Sequence, residues 1–388
     1  MKVALVSSIY GRGNILFQSG TSLSIFLENI TEVTAVDILT HEGNGNSIEF
    51  SDKIKVLGLF NYRKPASYLR VFKHLRKNRY NIVIFNSMPT SQGSSSLSNL
   101  MYEILPLYTR ILLRQKTVLL YHNTPYLNDV SKLGYKNRID QLRSLVLKII
   151  EHFLFTRIKT LFLLRYYANK IQTIVPKTKA LHLDVPYLDA FPTMRLNGKL
   201  MEESLTRKVN TIPRILLYGS WGPQKDLATT IEALSSLKKT NLKFSLTVAG
   251  GLNLHNFQDS NDQYSHLISK YSGIIDVRYG HLDEKEIMSL FLENDIIILP
   301  YKASGGFSGV LSIASFFGLS IIAPELPEIQ DQAIGYEKIH FIPQDFGVSQ
   351  IFDAVKEALR EVGEEKNITP RSHFMNSLNE VEKAFFKF

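Results

Sequence analysis

The strongest constraint on this chain is a repeated alternation: short, β-branched apolar runs bounded by turn residues, separated by longer segments with helical spacing. In the first half the runs fall at residues 3–6, 33–38, 81–85, 117–121, 160–163 and 180–183, with helical spacing at 22–30, 68–77 and 142–155. Strands that are apolar on both faces and divided by helices predict a parallel sheet covered on both sides. The alternation breaks between Val185 and Pro213, where three prolines accompany a Lys-, Glu- and Asn-rich stretch without a sustained period. It resumes with runs at 214–218, 243–248, 273–277, 296–299 and 320–323 and helical segments at 227–237, 283–292 and 309–317. The predicted fold class is therefore α/β, with two Rossmann-like, doubly wound domains at residues 1–190 and 213–370 and a linker at 191–212. The amphipathic segment 371–388 is expected to form a helix that packs back on the first domain.

A length of 388 residues fits this division, because one core seldom grows so large. The chain has no cysteine, which excludes disulfides, thiolate nucleophiles and Cys-based metal sites, and no metal ligand set is assigned. The opening apolar run is shorter than that of a signal peptide. The apolar-rich stretch 142–164 is interrupted by Arg143, Lys148, Glu151, Arg157 and Lys159, too often for a bilayer span, and reads as core, with a lipid groove as the alternative. The net charge of +9 is uneven: residues 1–190 hold 25 Lys and Arg against 12 Asp and Glu. Such a basic half suits an anionic membrane surface or a phosphate-bearing partner; no nucleic-acid-binding motif accompanies it. The expected location is cytoplasmic, peripheral on the cytosolic face of a membrane.

Two glycine-bearing loops in the second half carry the chemistry. In residues 216–226, LLYGSWGPQKD, a strand meets a glycine turn and then a helix starting near Asp226. Such a turn exposes N–H groups and sets Lys225 near a helix N-terminus, where phosphate is favoured. After the run 296–299 comes PYKASGGFSGVL, a glycine- and serine-rich loop feeding an apolar helix. Gly305, Gly306 and Gly309 permit close backbone approach there. The N–H groups of Ser308, Gly309 and Val310 would cradle a pyrophosphate, with Gly306 and Phe307 beside it.

Taken together, YGSWGPQKD, TVAGG, YGHLDEKEIMSLFLENDIIILPY and SGGFSGVLSIASFFGLSIIAP, in this order, resemble the nucleotide-sugar domain of glycosyltransferase family 4 over about residues 213–365. The resemblance implies the GT-B architecture, two Rossmann-like domains facing across a cleft. It also implies a retaining, metal-independent transferase, a hexosyltransferase, that takes a UDP- or GDP-sugar as donor substrate and needs no cofactor. On it, Ser220, Gly222, Lys225 and Gly280 join the loop residues 306–310 on the donor. Three positions depart from the family. Ser220 stands where a basic residue is usual, and Gly305 and Ile313 stand where the family has two glutamates, one of which binds ribose.

In the first half, Ser19, Gly20, Thr21 and Ser22 open the first long helix and resemble the family's glycine loop near the donor phosphate and sugar. A helix cap would use the same residues. His122 ends the run 117–121 at the carboxyl edge where open α/β sheets bind ligands, and matches the family histidine that contacts the transferred sugar. Asn86, Ser87 and Met88 end a neighbouring run, with the Ser-rich stretch through Ser98 as an acceptor entrance. Trp221 either touches the donor or packs locally. The basic first half points to a lipid-linked saccharide or glycolipid as acceptor. Two alternatives stay open: a non-catalytic GT-B binding or regulatory subunit, and a nucleotide-sugar epimerase. The sequence leaves the oligomeric state undetermined.

Overall fold

A computed structural model describes residues 1–9, 15–42, 50–88, 96–127, 138–183, 210–222, 224–251, 266–271, 273–280, 282, 284–364 and 385–386. The linker 191–212, apart from its last three residues, and the C-terminal segment 371–388, apart from Phe385 and Phe386, lie outside the described residues, as does Pro223.

The first sheet has seven parallel strands in the order β3-β2-β1-β4-β5-β6-β7. They are β1 (Lys2–Val6), β2 (Ala35–His41), β3 (Ile54–Phe60), β4 (Ile82–Ser87), β5 (Lys116–Tyr121), β6 (Lys159–Phe162) and β7 (Ala180–His182). The second has six in the order β10-β9-β8-β11-β12-β13, with β8 (Arg214–Tyr218), β9 (Ser245–Gly250), β10 (Asp276–Tyr279), β11 (Ile296–Ile298), β12 (Ser320–Pro324) and β13 (Ile339–Ile342). Each sheet starts at its centre and reverses direction once, so each has a switch point, between β1 and β4 and between β8 and β11, the place where such sheets bind ligands.

The strands alternate between two cores, as a sheet covered on both sides requires. Ala4 and Val6 pack into one cluster and Val3 and Leu5 into another. In the second sheet Ile215 and Leu217 face one cluster and Leu216 the other. Fully burying each such side chain is worth roughly 1.5–3 kcal/mol, so these strands hold the switch points rigid.

The helices of the first domain are α1 (Ile15–Asn29), α2 (Tyr68–Lys77), α3 (Ser96–Ile111), α4 (Arg138–Arg157) and α5 (Arg165–Ile174). Those of the second are α6 (Leu227–Lys238), α7 (Glu284–Glu293), α8 (Gly309–Phe316), α9 (Pro327–Gln332) and α10 (Val348–Glu364). Four differences from the sequence reading have physical causes. Strand β3 escapes it because this edge strand is only half-buried and interrupted by Lys55 and Gly58. The short β13, with His340 in its middle, escapes for a similar reason. Helix α3 keeps Pro106 in its interior, and a polar Ser-rich start obscures its period. The stretch 142–164 is core on one side only, because Leu142, Leu145, Val146, Ile149 and Phe153 of α4 are exposed. Phe385 is fully buried in the first domain, 6.2 Å from the ring of Phe26.

Among the described residues the domains touch at two places. Phe307 of the second domain packs against both cores of the first and its N–H donates to the His122 carbonyl at 3.3 Å. Asp331 of α9 accepts from the N–H of Tyr166 at 2.9 Å, capping the first turn of α5 from the other domain.

Candidate active site at the two switch points

At the β8 end the chain turns at Gly219 and Trp221, whose N–H donates to the Gly251 carbonyl at 2.9 Å. The Gly222 carbonyl accepts from the N–H of Lys225 at 2.9 Å, closing a tight turn. Lys225 forms a bridge with Tyr301 of the loop after β11. Its ammonium lies 5.3 Å from the Trp221 ring centre and 5.1 Å from that of Tyr301, between two electron-rich faces. Burial lowers its pKa to about 8 from an ordinary 10.5, because the charged form loses hydration. A Cβ on Gly219 would stand 2.4 Å from the Lys225 Nζ and 3.9 Å from Val310 Cγ2, so lysine and glycine loop share one small space. Trp221 itself is core: 2 % exposed, its indole N–H donating to the Ala249 carbonyl.

The helix after Lys225 carries its own carboxylate at its N-terminus. Asp226 caps α6, accepting from Thr229 N–H at 3.1 Å, and pairs with Lys302 at 2.9 Å. Lys225 therefore acts as a cation on its own account, without that helix's field. Ser308 caps α8 through its Oγ to the N–H of Leu311, and its own N–H donates to Gln332 Oε1 at 2.8 Å, so Ser308 brings no free amide. Gln332 also donates through Nε2 to the Ser308 carbonyl at 2.7 Å and to Ser312 Oγ at 2.8 Å. The N–H groups of Gly309 and Val310, first in α8, remain for an anion.

At the other switch point, His122 follows β5 and is 2 % exposed. Its Nε2 lies 2.7 Å from Asn86 Oδ1 and 3.1 Å from Ser19 Oγ, while Asn86 Nδ2 donates to Ser7 Oγ and Ser19 Oγ, each at 2.9 Å. A carbonyl acceptor assigns the proton to Nε2 and leaves Nδ1 as a bare lone pair, and Nδ1 has no partner. Burial drops the imidazole pKa to about 3, so the ring is neutral across the physiological range. Gly20 lies within α1, not in a loop ahead of it: the helix starts at Ile15. A Cβ there would meet the Ser8 carbonyl at 2.1 Å and Ser7 Oγ at 2.3 Å, so its role is to seat α1 on the β1 end and bring Ser19 to His122.

Gly306 joins the two halves. Its φ is +138°, and a Cβ would meet the His122 carbonyl at 2.5 Å and Asn123 Cβ at 2.8 Å. The strand end carrying the histidine and the loop carrying the anion-ready amides thus sit directly against each other.

Residues 204–372 match the family model for glycosyl transferases group 1. Over the whole chain the fold is similar to that of sucrose-phosphate synthase from Thermosynechococcus elongatus, at 13% identity and a TM-score of 0.67, covering 99% of this chain and 95% of that one. It is also similar to WaaG, a glycosyltransferase involved in lipopolysaccharide biosynthesis (15%, TM-score 0.61, 100% of each chain). A third is Anabaena HepE in complex with UDP-glucose (12%, TM-score 0.60, 99% and 95%). No curated protein matches the sequence. The chain has the two-domain fold of GT-B glycosyltransferases.

Within the group 1 domain, Ser220 is exposed at the turn, and Ile313 is 4 % exposed in the apolar core. Ile313 is thus built into packing and offers nothing to a ribose. Gly280 ends β10 with φ +101° and is exposed, touching none of the other candidates. Tyr301 and Gln332 are the residues that sequence reasoning missed. Tyr301 faces Lys225 and places its hydroxyl 3.0 Å from Ser308 Oγ, and Gln332 pins the start of α8. Tyr301 stood within the quoted motif; nothing in the sequence marks Gln332. A cavity of about 360 Å³ lined by Asn210, Arg214, Ser245, Asp276, Arg278 and Glu293 opens at the strand starts, the wrong edge for α/β chemistry. His340, Glu357 and Glu361 also cluster, but the carboxylates lie against opposite ring nitrogens, at 3.9 Å from Nδ1 and 3.0 Å from Nε2.

Beneath His122 lies a layer of buried acid. Glu103 accepts from Ser87 and from Tyr121, the latter at 2.6 Å, and burial raises its pKa to about 7. Glu151 accepts from Thr124 Oγ1 at 2.9 Å and Tyr126 N–H at 2.8 Å, with its pKa raised by burial and by Glu103.

Proposed function

We propose that this protein is a retaining, metal-independent hexosyltransferase that moves a sugar from a UDP- or GDP-sugar to a lipid-linked saccharide or glycolipid at the cytosolic face of a membrane. The observation that carries the reading is the contact of Gly306 with His122, which sets a neutral histidine beside a loop with a lone cation and two open helix amides. The donor diphosphate lies on Lys225 and on the N–H groups of Gly309 and Val310. The sugar faces His122 and Ser19, and the bare Nδ1 accepts from one of its hydroxyls.

In the reaction the bond from the anomeric carbon to the diphosphate oxygen breaks, and the nucleotide diphosphate leaves with the electron pair. The acceptor oxygen bonds to that carbon on the same face, and its proton passes to the departing phosphate oxygen. The protein's contribution is preorganised positive potential at the leaving group and orientation of the sugar. A histidine with a pKa near 3 is too weak a base to carry the proton, so its role is positioning. UDP and UDP-glucose in the Anabaena HepE structures agree with a nucleotide-sugar donor.

The test is calorimetric titration of UDP, GDP and ADP into the wild type and Lys225→Ala, followed by NMR of the product's anomeric configuration. Selective binding, weakened in the variant, with retention in the product supports the reading. Absence of binding to all three favours the rival, a non-catalytic GT-B subunit, for which Ile313 at the ribose position is the motivating observation.

A further inference from the structure

Helix α4 is apolar on two opposite sides. Ser144, Leu147, Leu154 and Phe155 face inward, and the last two join the core on their side of the first sheet. The outward side carries Leu142 (63 % exposed), Leu145, Val146, Ile149 (53 %) and Phe153 (47 %), a stripe at helical spacing over three turns. Its neighbour α3 repeats the pattern: Tyr102 and Leu105 enter the same core, while Leu97, Ile104 and Ile111 are exposed. Both helices cover the same face of the sheet and pack on each other, so their outer stripes face the same way. Scattered exposed apolar residues are ordinary, but two adjacent helices exposing aligned stripes form an interaction surface.

The charge around this surface chooses the partner. Among the described side chains of α2 to α5 the only carboxylates are Glu103 and Glu151, and both are fully buried. Among the described side chains the exposed charges on these four helices are therefore all basic, Lys73 and Arg76 on α2, Arg110 on α3, Arg138 and Arg157 on α4 and Lys170 on α5 among them. A symmetric second copy would press such cations against their own equivalents, and no acid among the described side chains of these helices answers them. An anionic bilayer supplies both an apolar interior for the stripes and phosphate for the cations. No helix is long and apolar enough to cross a membrane among the described residues, so contact is from one side.

We propose that the outer face of α3 and α4 inserts shallowly into an anionic lipid surface. The two helices begin after β4 and β5, whose C-terminal ends place Asn86 and His122, so the stripes start at the cleft side of the domain. A membrane-borne acceptor is then delivered to the site along the protein's own lipid-facing surface. This inference rests on the reading that the acceptor is lipid-linked, and deepens it.

The experiment is flotation of the full chain with phosphatidylglycerol–phosphatidylcholine vesicles and with phosphatidylcholine alone, for the wild type and for Ile149→Glu/Phe153→Glu. UDP titration and sedimentation velocity run in parallel. The expected result is binding to the anionic vesicles that falls about a hundredfold in the variant, with UDP affinity unchanged. A second reporter is Ile149→Trp, whose emission should shift to the blue on anionic vesicles; Trp221, the single native tryptophan, is already buried. Wild-type binding that the variant retains, no vesicle binding, or no blue shift overturns the proposal. So does a wild-type dimer that Ile149→Glu/Phe153→Glu dissociates, which would assign the face to a second copy. Absence of UDP, GDP and ADP binding in the wild type, with vesicle binding intact, would instead remove the transferase reading and leave the membrane face standing.

Discussion

The two switch points solve opposite problems on the same scaffold. At the β8–β11 end the groups offered are backbone amides and one cation, and the residues around them are glycines, chosen for the space they leave. At the β1–β4 end the groups are side chains, His122, Asn86, Ser7 and Ser19, locked by mutual hydrogen bonds, with His122 held neutral by burial. On the proposed reading, one site receives an anion that arrives with its own charge and the other receives neutral hydroxyls. A single glycine, Gly306, brings them together.

The largest effect should come from breaking that junction. Gly306→Val places a side chain where the His122 carbonyl already stands, forcing the halves apart. Transfer should fall about a hundredfold or more while the protein still folds, as read by kcat/KM beside thermal melting. If activity survives, the two ends do not form one site.

Lys225→Met tests the charged end alone. UDP affinity should drop roughly 10- to 150-fold, the ~1.5–3 kcal/mol of a charge-assisted contact. The variant should nonetheless melt higher at neutral pH, because the native state no longer holds a buried ammonium. In the wild type UDP binding should weaken as pH rises through about 8, while unliganded stability rises from there toward 10.5. In that interval the unfolded chain holds a proton the native state has released, so its sign is positive. A flat UDP affinity between pH 7 and 9 would mean that Lys225 does not hold the donor.

Glu103→Gln sharpens the contrast from below the neutral end. Its folded pKa of about 7 lies above the ordinary 4.5, so the native state binds the extra proton between these values and loses stability as pH rises through them. The variant should gain about 1–2 kcal/mol above pH 7, after the loss of one charged acceptor, and nothing near pH 4. Urea denaturation at the two pH values checks this. Equal stability changes at both would place the cause in packing.

The smallest effect belongs to His122→Gln, up to roughly tenfold in kcat/KM for one lost hydrogen bond, with UDP affinity unchanged. The wild-type rate should show no ionisation near pH 6.5. Stability behaves differently: with the folded pKa about 3, the unfolded chain takes up a proton as pH falls below 6.5 and the native state does not. Wild-type stability therefore declines on acidification more steeply than that of the variant. A rate limb near 6.5 that the variant removes would make His122 a proton carrier.

How much of this was legible in the sequence divides along the same line. Lys225, Gly306 and the loop from Phe307 to Val310 sit in two short segments where backbone geometry is dictated locally, by glycine and by helix start, so their order along the chain is enough to find them. Even there the donor amide of Ser308 was misassigned, because Gln332, which occupies it, comes from another helix. The His122 niche draws on Ser7, Ser19 and Asn86, and Ser and Asn are too common for any spacing to single out these three. The α3–α4 face was the least readable: apolar residues all round a helix look like core until the packing shows which side is covered.

The sequence by itself therefore determined the alternation, the two parallel sheets and the positions of the glycine loops, since apolar period and φ freedom are properties of neighbouring residues. Only the tertiary structure decided which amides are free, which proton His122 holds, how near Lys225 comes to the glycine loop, and which apolar stripe meets solvent. Those depend on distances and dielectric between groups far apart in the chain, and these are set by packing.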